Sequence, residues 1–416
     1  ILIGGRESAG HVHITENSLA RRRANPRKRR RLAVLIELHM IQCHAPSNLN
    51  RDDTGSPKDC IFGGVRRSRI SSQCIKRSIR MSDVFRSGLQ GVDLGIRTRR
   101  LPSIVRDAMI ELGFSSDMAD LAGKKASGFG NKDGTEQQDL ETAQIMFISQ
   151  HDVDTIIDVI AAAAKEAGDV KTFKDVSAKE LQKSAELAGW RPITPDIALF
   201  GRMITSAAFR DVQASAQVAH AISVNKMDHE FDYFTAVDDL VGTGEDDETG
   251  AAMIDDVEFN SACYYKYMSL DYDGLVSNLA GLTPTDEGLD QARRVAAHTI
   301  LAFVRAAALV TPTGKQNSFA AHQLPSAILV EVRNKKMPVS YANAFVKPVT
   351  AGRGKDLIEA SIEQFACHVD ILNRKYGLQA EPRLWFCTEP IKVPQTRECE
   401  SFDALLDGVA RAVEVR

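Results

Sequence analysis

The sequence predicts an α+β fold, and three observations carry that prediction. An apolar, β-branched stretch lies near residue 35, an Ala-rich region of helical periodicity fills the centre, and the last third mixes short strand candidates with long amphipathic helices. With 416 residues, 44% of them hydrophobic, the chain supports two or three structural units with filled cores, which excludes disorder as a whole-chain state. No apolar run reaches the roughly 18 residues of a bilayer span, and the basic N-terminus lacks the apolar core of a secretory signal. A soluble, cytoplasmic protein without a membrane partner is expected. The seven cysteines form no CxxC pair and no cluster with histidine, so they read as free or buried thiols in a reducing compartment rather than a zinc site or disulfide frame.

Residues 1–31 carry nine Lys/Arg against Glu7 and Glu16, show no apolar period, and read as a disordered basic extension. It is either a nucleic-acid-attracting tail or an addition outside the fold. Leu32 to Gln42 is short and β-branched enough to be a buried strand, followed by turn residues from His44 to Asn48 and a polar loop from Asn50 to Lys58. Phe62-Gly63-Gly64 leads into an extended Val65 to Ile70, and Ser71-Ser72 then supplies an N-cap for a helix from Gln73 to Arg80. Residues 97–190 form a mostly helical insertion, broken near Gly128 to Gly134 and closed by Pro192 and Pro195, after which Asp196 to Met203 returns to strand-like composition. Residues 228–258 hold twelve Asp/Glu and no Lys/Arg, the pattern of a protruding hairpin. Strands are expected at Ser326 to Val332 and Arg383 to Cys387, and helices at Asp286 to Leu309 and Ser361 to Tyr376.

The net charge of −3 hides a strong asymmetry. Between Asn50 and Arg80 stand eight cations (Arg51, Lys58, Arg66, Arg67, Arg69, Lys76, Arg77, Arg80) against Asp52, Asp53 and Asp59, inside an otherwise acidic body. Such a focused patch suits a polyanion. Gln73, Lys76 or Arg77, and Arg80 recur at helical spacing on one face, and Ser71 and Ser72 sit where the first helical amides are unpaired, a natural phosphate site. Gly63 and Gly64 would let a sugar-phosphate chain approach the backbone. Together these features suit a grip that tracks a nucleic-acid backbone without reading bases. A solvated basic helix fits the charges alone equally well. Asp52 and Asp53 could hold a metal ion, but no third carboxylate is placed by spacing, which favours a loop-capping role. His39, His44, His220 and His322 are scattered and read as structural, and Lys315 follows Gly314 without the remainder of a phosphate-binding loop motif. No cofactor motif is present.

The strings NLNRDD (48–53) and KDCIFGGVRRSRISSQCIKRSIR (58–80) resemble the CasC family, the repeated backbone subunit of the type I-E CRISPR Cascade complex. The likeness continues through DIALFGRMITSA (196–207), VAHAISVNKMDHEFDYFTAVDDL (218–240), FNSACYYKYMSL (259–270), TGKQNSFAAH (313–322) and PVSYANAFVKPV (338–349), and covers residues 32–416. It implies an RRM-like, ferredoxin-like palm (32–96, 191–226 and 262–416), helical fingers (97–190) and a thumb hairpin (227–261). It also implies copies assembling head to tail along CRISPR RNA beside other Cascade subunits, with target DNA reached through the guide. By motif, Arg51, Lys58, Ser71, Gln73, Lys76 and Arg80 would hold guide phosphates, with Arg66, Arg67, Arg77 and Lys315 in the same basic group. Met203, Thr235 and Ile254 would wedge beside a displaced nucleotide; the competing reading of Met203 is core packing. The family commonly has Lys where this chain has Val65, and the arm before Leu32 has no counterpart.

The first expectation is therefore a non-catalytic, guide-RNA-binding subunit in a head-to-tail filament. The rival is a metal-dependent target-RNA endonuclease of the type III backbone-subunit kind, using Asp52 or Asp53. A DNA-binding regulator would need a helix-turn-helix, and none is evident.

Overall fold

A computed structural model describes residues 34–187, 192–236, 253–281, 284–352 and 354–414. The basic extension, the centre of the acidic segment and residues 188–191 before Pro192 lie outside them.

In chain order the strands are β1 (Leu35–Ser47), β2 (Asp59–Phe62), β3 (Val65–Ile70), β4 (Ile96–Thr98), β5 (Met146–Ile148), β6 (Ala216–Val218), β7 (Ala221–Ser223), β8 (Glu230–Ala236), β9 (Met253–Asp271), β10 (Ala327–Arg333), β11 (Arg383–Cys387) and β12 (Arg397–Glu398). The helices are α1 (Ser72–Met81), α2 (Asp83–Ser87), α3 (Leu101–Glu111), α4 (Ser116–Ser127), α5 (Gln150–Ala167), α6 (Val170–Asp175), α7 (Ala178–Leu187), α8 (Pro195–Phe200), α9 (Tyr272–Ala280), α10 (Asp286–Leu309), α11 (Gln316–Phe319), α12 (Leu357–Tyr376) and α13 (Phe402–Glu414).

One sheet dominates, in the order β12-β11-β10-β1-β9-β7-β3-β2, with β6 and β8 also pairing β9. Its central strands are covered on both faces, which is why β1 is buried at every position from Leu35 to Gln42, the polar Glu37, His39 and Gln42 included. Ile36, Leu38 and Met40 pack with Ile300 and Phe303 of α10 and with Val409 of α13. On the other face Ile41 and Leu329 meet Ile362, Phe365 and Val369 of α12. Between β4 and α8, helices α3 to α7 enclose a separate core built on Leu101, Met109, Phe129, Ile156 and Phe173, and the short β4–β5 ribbon runs alongside.

Three expectations are corrected. The turn foreseen at His44 to Asn48 is strand: β1 continues to Ser47 through a register shift after His44, and such an irregularity tolerates Pro46, which has no N–H to donate. The strand foreseen at Asp196 to Met203 is helix α8, because Thr194 occupies the N-cap position and Pro195 the first helical position, where a missing N–H costs nothing. Helix α12 begins a turn early, where Asp356 and Glu359 form a reciprocal capping box. The expected helix from Asp286 to Leu309 and the strands at Val65 to Ile70 and Arg383 to Cys387 appear with those bounds.

Candidate nucleic-acid interface

The loop after β1 is pinned from inside. Asn48 is fully buried, and its amide donates to the carbonyls of Gly55 and Glu258, both at 2.9 Å. Lys58 N–H donates to the Asn50 carbonyl at 2.8 Å, while the Asn50 side-chain oxygen accepts from Ser71 N–H at 2.8 Å, so the loop is tied to the start of α1. Within it Asp52 Oδ1 accepts from the N–H and hydroxyl of Thr54 and the N–H of Ser56 at 2.8 to 3.0 Å. The Thr54 hydroxyl is the largest influence holding the Asp52 carboxyl below its ordinary range. Asp52 thus works as a loop cap, and among the described residues no three His, Cys, Asp or Glu side chains are grouped to hold a metal ion. Arg51 stands exposed on this loop. The Lys315 segment abuts its base: a Cβ on Gly314 would lie 2.5 Å from the Leu49 carbonyl oxygen, and Lys315 itself takes a left-handed backbone at φ 50.

Strands β2 and β3 form a hairpin closed by Gly63 and Gly64, whose φ values of 62 and 76 fit a two-residue turn of the primed type. The close approach foreseen for a sugar-phosphate chain is taken at Gly63 by the protein itself, since a Cβ there would collide with the Val346 carbonyl. Gly64 has open space beside it. Arg66 is exposed and paired with Asp59. Arg67 departs from its expected role: it is fully buried, with Nη1 donating to the carbonyls of Ser223 and Val224 and Nη2 to those of Phe345 and Val346, at 2.8 to 3.1 Å. A guanidinium enclosed by four carbonyls ties β3 to two loops and is not available to a phosphate. Arg69 instead reaches outward, its Nη1 standing 3.1 Å from His220 Nδ1.

Ser71 caps α1, its hydroxyl accepting from Cys74 N–H at 3.3 Å. The helix buries Ile75 and Ile79, which turns Gln73 and Arg77 fully outward and leaves Lys76 half-exposed beside them. Arg80 bends toward the helical segment: its side chain is 11% exposed, lies 3.9 Å from Asp196, and stacks 5.2 Å above the Phe147 ring. Burial lowers the Arg80 pKa, and Asp196 only partly offsets this.

There the basic face runs into a cleft of about 610 Å³ between α1, α2, β4, β5 and the loop after α8. Arg77, Arg80, Arg86, Arg97 and Arg202 line it. Arg97 also lies over the Phe147 ring, at 4.7 Å. Arg86 and Arg97 were missed because they stand apart from the dense cationic stretch, and only folding brings them to it. Arg202 is buried and bonded to Asp152 at 2.7 Å, and its backbone exchanges two hydrogen bonds with Val212, which fixes the loop after Gly201. Met203, next on that loop, is 88% exposed, so the core-packing alternative is overturned. Ile96 and Ile145 are exposed on the same rim.

The hairpin of β8 and the first half of β9 places Thr235 opposite Ile254. Thr235 is exposed and follows Phe231 and Tyr233 at two-residue intervals, which puts the three on one face. His39 and His44 are core groups: burial lowers the first to about 3 and the second to about 4.

Fold and site together define a mixed α+β scaffold with one concentrated cationic face that ends in an arginine-lined cleft. The chain belongs to the CT1975-like protein family, whose model matches residues 36–408. Among curated proteins no match is found. Of solved structures, a chain of one described as "CRISPR RNA-guided surveillance complex, pre-nicking" is similar over 91% of this chain and 100% of its own, at 26% identity and a TM-score of 0.74. A chain of a second, "CRISPR RNA-guided surveillance complex", shares the fold over 91% of this chain and 99% of its own, at 22% identity and a TM-score of 0.67. Among the described residues no helix is long and apolar enough to cross a membrane.

Proposed function

We propose that this protein is a non-catalytic backbone subunit of a CRISPR Cascade complex of type I-E, the CasC kind, working in the cytoplasm. In this reading the main sheet and its helices are an RRM-like palm, α3 to α7 the fingers, and the β8–β9 hairpin the thumb. Copies follow one another head to tail along CRISPR RNA, beside other Cascade subunits, and present the guide for pairing with target DNA. The observation that carries it is the continuous path from the Arg51–Lys58 loop over Gln73, Lys76 and Arg77 into the arginine cleft, with Met203 projecting at its rim. The full-length likeness to a chain of an RNA-guided surveillance complex supports it. The contacts suit phosphates rather than base edges, so sequence specificity falls to pairing by the guide.

The test is to co-express the full chain with the other Cascade subunits and a CRISPR array, purify the complex and sequence the RNA it retains. Discrete repeat-spacer RNAs at several protein copies per RNA are expected. Random cellular RNA, or none, would remove the basis of the reading.

A further inference from the structure

At the end of the sheet opposite β2 and β3, a buried ionic cluster has more donors than acceptors. Glu37 of β1 accepts from the Tyr267 hydroxyl at 2.6 Å, from Val339 N–H at 2.7 Å and from Arg333 Nε. Glu331 of β10 accepts from Arg333 Nη2 at 2.6 Å, Arg383 Nε at 2.8 Å and the Tyr341 hydroxyl at 2.9 Å. All four charged side chains are less than a tenth exposed. Once these bonds are made, Arg333 Nη1 and Arg383 Nη2 remain buried without an acceptor. A charged N–H left dry is costly, so each of the two calls for a physical account.

Both arginines line a cavity of about 690 Å³ between the end of β10, the turn after α12 and the segment before β12. Lys335 and Tyr376 stand at this cavity, the tyrosine 75% exposed, and Gln379 and Gln395 add polar groups. Lys335 pairs with no carboxylate among the described residues, and Glu381 is the single acid in the lining. Glu37, Glu331 and Glu381 balance Arg333, Arg383 and Lys335 in charge, so what this place lacks is acceptors for the two unpaired guanidinium nitrogens.

We propose that this cavity is an oxyanion site, taking the phosphate or carboxylate group of a small ligand against Arg333, Arg383 and Lys335. The sheet order sets it apart from the cationic face on α1, and it does not rest on the nucleic-acid reading. Guanidinium forks favour planar or tetrahedral oxyanions over chloride, because two N–H groups meet two oxygens.

Inorganic phosphate and acetate are titrated separately into the full chain by calorimetry, with ionic strength held by chloride. Saturable binding of one or both is expected, and which of them binds tells phosphate from carboxylate. Arg383→Lys, which keeps the charge and loses the fork, should weaken it about tenfold. Lys335→Gln, an exposed change that leaves the fold alone, should weaken it about threefold. Lys76→Glu on α1 should leave it unchanged. Crystals soaked in selenate should show anomalous selenium in the cavity. Absence of saturable binding would overturn the proposal. So would binding abolished by Lys76→Glu and untouched by Lys335→Gln, which would assign the ion to α1.

Discussion

Replacing Arg67 by Met separates a stability role from an RNA role inside one basic run. The substitution keeps much of the side-chain volume and removes the guanidinium, leaving the carbonyls of Ser223, Val224, Phe345 and Val346 without their donor. At roughly 1 kcal/mol for each acceptor left dry, the loss comes to about 4 kcal/mol, within the range for removing one side of a buried charged contact. Urea unfolding should therefore show a midpoint well below the parent's with an unchanged slope. Under native conditions the folded fraction should retain RNA with the parent's salt dependence, because every phosphate-facing cation is still in place. A variant as stable as the parent that no longer held RNA would refute the reasoning, since the guanidinium would then have been facing the ligand rather than the carbonyls.

Charge reversal by Lys76→Glu should do the reverse: stability stays within about 0.5 kcal/mol, while RNA retention falls for every guide sequence and the slope of log affinity against log salt flattens by about 0.7 for each phosphate that is no longer neutralised. An unchanged salt slope would count against α1 as the guide surface. Met203→Ala should leave the unfolding free energy within about 0.5 kcal/mol of the parent because the side chain buries little, yet change the periodicity of nuclease protection along bound RNA. A large drop in stability would mean that Met203 is packed. Because burial holds His39 near 3 and His44 near 4 in the folded chain, against about 6.5 unfolded, the unfolded state binds more protons in between. Stability should thus be level above about pH 6.5 and fall as pH drops toward 4, with His44→Gln making the fall shallower; denaturant midpoints across this range measure it. Asp52→Ala should leave complementary RNA as intact as the parent does in the presence of magnesium or manganese; parental cleavage that disappears in the variant would establish the nuclease alternative.

Much of the fold was legible where one signal acted alone. Helix α10 was readable at both ends because Thr285 caps it and its apolar period runs unbroken, and β11 because an apolar run stands between turns. Helix α8 misled, since Ile197, Ala198, Leu199 and Phe200 are apolar all round and a buried helix of six residues has the composition of a strand. At the site, charge density located the right stretch of chain but could not say which way each cation points. Arg67 and Arg69 differ by two residues in β3, and the difference in fate comes from the Val224 and Phe345 carbonyls, which are remote in sequence. For the same reason Arg97 stayed invisible until β4 was placed against Phe147.

Strand β9 runs for 19 residues without a break, from the projecting hairpin into the centre of the sheet, where it pairs with β1. At about 3.4 Å per residue this is a beam of roughly 65 Å with one end clamped between buried strands. The outer half cannot slide along its axis unless every side chain from Cys263 to Leu270 changes face, because a slip of one residue exchanges the two cores. The hairpin's reach is accordingly set by the core, and only bending or twisting near Asn260, where β1 and β9 lose their even register, is left as a means of adjusting it. A single residue inserted between Glu258 and Ala262 would leave the anchor from Cys263 to Leu270 in register and reverse the faces of the outer half of β9.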